Sequence, residues 1–266
     1  MLSFLKSHPF PVETFFESSL VLTYAIAKEE LQSLIPPCLT LDTHLDKWAF
    51  VAVAMVKTTK LRPKGFPEFL GNDFFLIGYR VFVRYTTSEG KKLRGLYILK
   101  SETDSNRMSF MGNIFTHYNY QTTDIQFQKH ENLQQNENLQ EIEAKIPTTL
   151  KVYSQKSALQ VEVKLNHEKG DETTQLPHNS PFKDWKEARR FAGPLPFTFT
   201  YNEISKEVLI IEGVREDWIP KPVQVLASEV GFIRDKNFKE IVLANAFVIQ
   251  NIPYYWKKGR IDIWKS

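Results

Sequence analysis

Residues 20–56 read LVLTYAIAKEELQSLIPPCLTLDTHLDKWAFVAVAMV, and this stretch decides the predicted fold. Residues 20–26 form an apolar run that suits a buried strand. Residues 27–34 place leucines on one side of a short helix and charged residues on the other. Pro36 and its neighbour Pro37 end that helix, because proline lacks a backbone N–H. A second apolar strand follows at 48–58, so the predicted order is strand, helix, turn, strand.

Short strands also predominate in the rest of the chain. A turn at residues 88–92 joins strands at 74–86 and 93–100 into a predicted hairpin. A loop rich in proline and glycine is expected at 61–72. The other predicted strands lie at 118–129, 148–153, 158–166, 197–202, 208–214, 223–232 and 241–249.

Two further helices are predicted. One covers residues 104–116, and the other covers 182–191 with Ser180 as its N-cap and Pro181 at its first position. A polar stretch at about 130–147 is interpreted as a surface excursion. Since no linker or repeat divides the chain, these elements predict a β-rich α+β fold in a single domain over residues 1–266.

The composition is that of an ordinary globular protein, with 42% hydrophobic residues and a net charge of +3 over 266 residues. Basic residues are spread along the chain, so no nucleic-acid partner is expected. The longest apolar run, 49–56, is far shorter than the ~20 residues that cross a membrane, so no membrane partner is expected either. No signal peptide is evident, and Cys38 as the single cysteine excludes an intrachain disulfide. A cytoplasmic location is therefore expected.

Motifs for common cofactors and catalytic groups are absent. The chain has no P-loop, no dinucleotide-binding glycine pattern, no G-x-S-x-G and no H-E-x-x-H. The six histidines never lie three or four residues apart, so local spacing predicts no metal site, and they are interpreted as scattered surface residues. No cofactor is predicted. Cys38 is interpreted as a buried, inert thiol.

Arg80 lies in the middle of the apolar strand FFLIGYRVFV at residues 74–83. An inward guanidinium must find a carboxylate or an anionic ligand, because an unpaired buried charge is too costly. Three interpretations remain open: a structural ion pair with Glu102, an anion-recognising pocket built on Arg80 and Arg107, or an exposed edge.

Lysines matter because one reaction class proceeds through a Schiff base, which requires an unprotonated amine. Lys91 and Lys92 lie at the tip of the predicted hairpin, where water screens both charges. Lys100 ends the apolar stretch LYILK and is the weak candidate for a nucleophile, although a side chain that reaches the surface is the expected arrangement.

The sequence LIPPCLTLD at residues 34–42 resembles the leucine-isoleucine-proline…leucine…aspartate signature of bacterial domain-of-unknown-function family 2071, within the acetoacetate-decarboxylase-like superfamily. WAFVAVAM at 48–55 is similar to the family's next strand, and GLYIL at 95–99 is similar to its Gly-Val-Tyr-Phe-Phe strand. The resemblance is close over residues 8–125 and looser over 195–260.

The strand that contains Arg80 resembles the family's Asn-x-Arg-x-Tyr-Val strand. Arg80 and Val83 are kept, while Phe82 replaces the tyrosine and Gly78 replaces the asparagine. The resemblance implies curved, mostly antiparallel strands that close into a cone or barrel around a central pocket, with a few short helices.

Decarboxylation is not implied. The Schiff-base lysine of the decarboxylases and its neighbouring lysine align within residues 106–108, which read Asn-Arg-Met here. The decarboxylase arginine aligns near Ala25 and a pocket glutamate near Val51, so that only Glu102 matches a family acid. Acetoacetate decarboxylase activity is therefore not expected.

Three functions remain open. In the first, the cone binds a small apolar or weakly acidic molecule, and the expected ligand-binding residues are Tyr24, Arg80, Glu102 and Arg107. In the second, a lyase-type enzyme uses Lys100 as a relocated nucleophile. In the third, the chain is an oligomeric scaffold without a ligand, and a homo-oligomer is the expected partner. The sequence does not decide whether the aromatic segment at 251–258 closes the pocket or lies in a subunit contact, and packing against the body of the protein is its default interpretation.

Overall fold

Strands dominate the part of the chain that the computed structural model describes, which is residues 5–131, 148–165, 176–191, 195–216 and 218–265. The strands are β1 (Val12–Ala27), β2 (Thr40–Leu41), β3 (Trp48–Pro63), β4 (Asn72–Thr86), β5 (Lys92–Thr103), β6 (Tyr120–Thr122), β7 (Gln126–Glu131), β8 (Thr148–Ser154), β9 (Leu159–Leu165), β10 (Phe197–Asn202), β11 (Glu207–Arg215), β12 (Lys221–Val230), β13 (Ile241–Trp256) and β14 (Arg260–Ile263). The helices are α1 (Lys28–Gln32), α2 (Asn106–Phe115), α3 (Trp185–Ala188) and α4 (Gly231–Arg234), and 3-10 turns lie at Leu5–Ser7 and Glu68–Leu70.

Seven of these strands form a ring. Their order is β10-β5-β4-β3-β1-β13-β11, and β11 also pairs with β10. The ring is closed by a short antiparallel contact between β11 and β13, from Gly213 opposite Trp256 to Arg215 opposite Tyr254. All pairings in the ring are antiparallel except β10 with β5. The predicted β-rich, curved and mostly antiparallel fold is therefore confirmed, as is the hairpin of β4 and β5.

A second layer covers part of the outer face of the ring. This layer consists of four strands that lie side by side in the order β7-β8-β9-β12. It joins the ring where β12 pairs with β13. Alternate residues of a strand point to opposite faces, so β9 turns Val161 and Val163 toward the outward residues Val51 and Val53 of β3. This interface is the larger of the two apolar clusters of the described residues.

The inward face of the ring carries small residues. Along β3 the inward positions include Ala52 and Ala54, whereas the outward positions are valines and a methionine. One end of the ring is filled by Phe182 and Phe191, which pack against the inward Phe50 with ring centroids 5.4 Å and 4.8 Å away. The alanines leave the space toward the other end open.

Two predicted elements differ from the structure. The helix expected over residues 182–191 is limited to α3. Its N-cap is Asp184, whose carboxylate accepts a hydrogen bond from the Glu187 backbone N–H. Ser180 instead donates to the Ala244 carbonyl at 2.7 Å and holds this segment on β13. The strand expected over 118–129 is divided into β6 and β7.

Among the described residues, no helix is long and apolar enough to cross a membrane. The polar excursion expected at about 130–147 lies almost wholly outside the described residues, which leave out 132–147.

Candidate functional site

An inner cavity of about 90 Å³ lies inside the ring. Six of the seven ring strands contribute to its wall, which makes it the central space of the fold. Its apolar wall includes Val21, Ala52, Ala54, Leu96 and Phe247. Its polar wall includes Arg80, Ser101, Tyr118, Tyr120, Thr198 and Tyr254.

Arg80 enters this cavity from β4 because Gly78 leaves room for it. The two residues lie on the same face of the strand, two positions apart. A Cβ atom at position 78 would lie 2.8 Å from Arg80 Nε. The glycine that stands where the family pattern has asparagine therefore lets the guanidinium bend back over the strand.

Arg80 has no counter-charge among the described residues. Its Nε is buried without a hydrogen-bond partner. Desolvation by burial lowers the pKa of the guanidinium. No aspartate, glutamate, histidine, cysteine or lysine is found among the described residues that line the inner cavity. The inner cavity is thus a half-buried, positively charged space with an apolar wall.

Three tyrosines lie close enough to Arg80 to interact with it electrostatically: Tyr118, Tyr120 and Tyr254. Burial raises the pKa of each, to about 12 for Tyr120, so that all three stay neutral and keep their hydroxyl protons at neutral pH. The Tyr118 side chain is hydrogen-bonded to Thr198.

Two further groups extend this polar wall. Tyr254 accepts a hydrogen bond from the Arg215 side chain, and the Arg215 guanidinium stacks 4.9 Å from the centre of the Trp218 ring. Trp218 lines the cavity, and its Nε1 is buried without a hydrogen-bond partner. Guanidinium, hydroxyl and indole N–H groups are all donors, which is the set that a carboxylate needs.

The structure separates Arg80 from the other expected ligand-binding residues. Tyr24 lies on the outer face, where its hydroxyl is hydrogen-bonded to Ser228, and burial raises its pKa to about 12. Arg107 is exposed in the first turn of α2. Glu102 lies on the outer face of β5 and accepts hydrogen bonds from Tyr79 at 2.8 Å and Ser157 at 2.9 Å.

The interpretation of Arg80 and Glu102 as an ion pair is wrong. The two side chains are on opposite faces of the sheet, and Glu102 pairs instead with Lys100, with 2.6 Å between Nζ and Oε1. Asp104, two residues further along, accepts a hydrogen bond from the Phe75 backbone N–H. Lys100 also lies outside the inner cavity, with its ammonium 5.9 Å from the centre of the Tyr79 ring.

Sequence reasoning missed the tyrosines and Trp218, because they come from segments far apart in the chain. One signal was present: Tyr254 and Trp256 are two residues apart, so in a strand both face the same side. The structure places both in β13 and in the cavity wall.

The cysteine and two of the histidines are buried. Cys38 is a free thiol whose pKa is raised to about 11 by desolvation, as expected for an inert residue. His8 and His44 are buried rather than on the surface, which corrects the interpretation of the histidines. No group of three or more potential metal ligands occurs in the described ranges.

The chain is similar to one known protein family and to several solved structures. The model of DUF2071, described as an uncharacterized conserved protein, matches residues 15–250. No curated protein matches the chain at a significant level.

Solved structures are similar over nearly the whole chain. Acetoacetate decarboxylase from Legionella pneumophila subsp. pneumophila str. Philadelphia 1 is 12% identical, with a TM-score of 0.53 over 95% of this chain and 87% of that one. The enduracididine biosynthesis enzyme MppR complexed with pyruvate is 10% identical, with a TM-score of 0.52 over 95% and 90%. An acetoacetate decarboxylase-like enzyme from Sphingomonas wittichii RW1 is 10% identical, with a TM-score of 0.50 over 97% and 94%. At these identities the likeness shows the fold alone.

Proposed function

The chain belongs to the DUF2071 family of uncharacterized conserved proteins, and we propose that it binds a small, weakly acidic organic molecule inside the ring, with the carboxylate of that molecule on Arg80. The observation that carries this proposal is a guanidinium whose buried Nε has no hydrogen-bond partner, in a cavity whose described lining holds no acid. Ligand pockets of this kind are mostly apolar with a few convergent polar groups.

The energetic argument is that a bound anion removes a cost that the free protein bears. A buried charge without a partner is penalised by several kcal/mol, ~3–5 in proteins where one partner has been removed. A carboxylate restores the missing partner and accepts short, charge-assisted hydrogen bonds from the guanidinium. The neutral tyrosine hydroxyls beside Arg80 supply further donors without a competing negative charge.

Binding of a small carboxylate tests the proposal. We expect isothermal titration calorimetry to detect butanoate and to find butanamide, its neutral counterpart, at least tenfold weaker. Arg80→Met is expected to weaken butanoate by about 10- to 100-fold, since a hydrogen bond to a charged group contributes ~1.5–3 kcal/mol. Arg107→Met is the matched control, because Arg107 is exposed and lies outside the cavity.

Arg80→Met is also expected to fold and to be at least as stable as the parent chain without ligand, because it removes an unpaired buried charge. Equal affinity for butanoate and butanamide in the unaltered protein would refute the proposal without any variant. Loss of butanoate binding in Arg107→Met, with Arg80→Met unaffected, would refute it as well.

The alternative of a lyase that uses Lys100 has a direct test. Lys100 is engaged by Glu102 on the outer face, and no lysine is found in the described lining of the inner cavity. We therefore expect borohydride treatment with pyruvate to add no mass to the intact protein. An adduct that forms in the parent chain and disappears in Lys100→Met would establish the alternative.

A further inference from the structure

A second, larger space adjoins the inner cavity. This outer pocket, of about 220 Å³, lies between the segment at residues 8–12, helix α2 and the ends of β3 and β4 that face it. The inner cavity and the outer pocket share part of their walls. The shared residues are Phe16, Leu76, Tyr118, Tyr120 and Trp256.

The outer pocket is more apolar than the inner cavity. The apolar residues that line it alone include Phe10, Val12, Leu61, Phe74, Met111 and Phe115. Two flexible methionines, Met108 and Met111, belong to this wall, and thioether side chains adapt well to apolar chains of varied shape.

The charged and titratable groups of the outer pocket do not compete with Arg80 for an anion. Arg62 is already paired with Glu13 at 2.9 Å and donates to the carbonyl of Phe66 at 2.8 Å. His8 is buried, and desolvation lowers its pKa, so its imidazole is neutral at neutral pH. Within the described lining of the two spaces, Arg80 in the inner cavity is therefore the only cation without a counter-charge, and a carboxylate would bind there.

Volume indicates how long the apolar part of the ligand is. A cavity of ~150 Å³ lined by apolar side chains holds one benzene molecule, or ~25 Å³ for each carbon atom. On that scale the outer pocket takes about nine non-hydrogen atoms, and the inner cavity takes about three or four, enough for a carboxylate group. The two spaces together match an acid of about ten carbons.

We propose that the ligand class is a medium-chain monocarboxylic acid, whose carboxylate lies on Arg80 and whose unbranched chain passes the shared aromatic wall into the outer pocket. This inference rests on the proposed function and adds the apolar chain to it. The short keto acids that suit a compact site would leave the outer pocket empty.

A chain-length series tests the inference in the unaltered protein. We expect the dissociation constant of straight-chain acids from butanoate to dodecanoate, each measured below its critical micelle concentration, to fall about fourfold for each added methylene. The gain is expected to stop near decanoate, where the outer pocket is full. An affinity that does not depend on chain length beyond butanoate would overturn the inference.

A pocket-filling variant supplies the second measurement. Leu61→Trp places an indole in the outer pocket, and we expect it to weaken decanoate at least tenfold while butanoate changes less than twofold. Ile204→Trp is the matched control, because Ile204 is 96% exposed in a turn far along the chain. Equal losses for the two acids in Leu61→Trp would contradict the inference.

The two proposals fail separately. If butanoate binding depends on Arg80 but chain length has no effect, the proposed function stands and the apolar extension is refuted. If long acids bind as tightly to Arg80→Met as to the parent chain, the carboxylate does not lie on Arg80 and both proposals are overturned.

Discussion

Gly78 and Gly213 each lie against a side chain of the inner cavity, and the two contacts differ in kind. A Cβ at position 78 would meet the flexible end of Arg80 at 2.8 Å. A Cβ at position 213 would lie 1.9 Å from the hydroxyl oxygen of Tyr254, whose ring is rigid and stacked on Phe16 at 4.9 Å. The first side chain can move aside, whereas the second cannot.

Alanine at these two positions should therefore separate ligand binding from stability. We expect Gly213→Ala to lower the free energy of unfolding by about 2 kcal/mol or more, in the range of other overpacked cores. Gly78→Ala should change it by less than about 1 kcal/mol, yet displace the guanidinium and weaken butanoate at least fivefold. Urea denaturation and calorimetry measure the two effects, and similar stability losses in both variants would contradict this account.

Individual residues also show how the strand face decides a role. Tyr79 and Arg80 are neighbours in β4, but Tyr79 faces outward to Glu102 and Arg80 faces the inner cavity. The pKa of Tyr79 is raised by desolvation first and by the Glu102 carboxylate second. Tyr79, Glu102 and Ser157 form a buried network that holds the second layer on the ring.

At the scale of elements, the LIPPCLTLD segment attaches β2 to the hairpin of β4 and β5. The carboxylate of Asp42 is fully buried and accepts hydrogen bonds from Arg84 and Arg94, one from each strand of the hairpin. The Asp42 backbone N–H donates to the Phe82 carbonyl at 3.0 Å. This aspartate of the family signature therefore has a structural role.

Asp42→Ala should lower the free energy of unfolding by about 2 kcal/mol. That value is below the range for fully buried pairs, because the side chains of Arg84 and Arg94 are 55% and 34% exposed and water can solvate them. Asp235→Ala is the control, since Asp235 is 70% exposed where it pairs with Arg234, and it should change stability by less than about 0.5 kcal/mol. Equal effects of the two substitutions in urea denaturation would contradict the structural role of Asp42.

At the scale of the whole molecule, the segments around His8 and Gly259 meet beside the ring. The Gly259 backbone N–H donates to the carbonyl of His8 at 2.8 Å. Gly259 follows β13, which forms part of the cavity wall. His8 is buried with its Nδ1 unbonded, and desolvation holds its pKa below the ordinary value of 6.5. Unfolding therefore releases an imidazole that binds protons more readily.

The stability of the molecule should consequently fall as the pH falls below 6.5, the ordinary pKa of His8. Between that value and the lowered pKa the unfolded chain binds a proton that the folded chain does not, and each unit of lowering costs about 1.4 kcal/mol. We expect His8→Gln to reduce the loss of stability between pH 7 and 5, measured by urea denaturation. His130→Gln, at an exposed position, should leave it unchanged, and an unaltered pH profile in His8→Gln would refute the role of His8.

Self-association and a cytoplasmic location stay predictions at this scale. The scaffold function has its own measurement: light scattering that shows a stable oligomer, together with no carboxylate binding at Arg80, would favour it over the proposed function.

The sequence by itself determined most of the long strands, the hairpin of β4 and β5, the family and the burial of Cys38. These depend on periodicity, turn residues and local motifs, which act over a few neighbouring positions. It also indicated that an inward Arg80 needs an anionic partner, because that follows from the cost of a buried charge alone.

Only the tertiary structure showed that Arg80 does not pair with Glu102. Glu102 is close in sequence and one strand away, but strand alternation puts it on the opposite face of the sheet. Closure of the ring between β11 and β13 instead puts Tyr118, Thr198, Trp218 and Tyr254 in the wall of the same cavity as the guanidinium. Such contacts join residues from distant parts of the chain, so their register depends on the assembled sheet and on no local pattern.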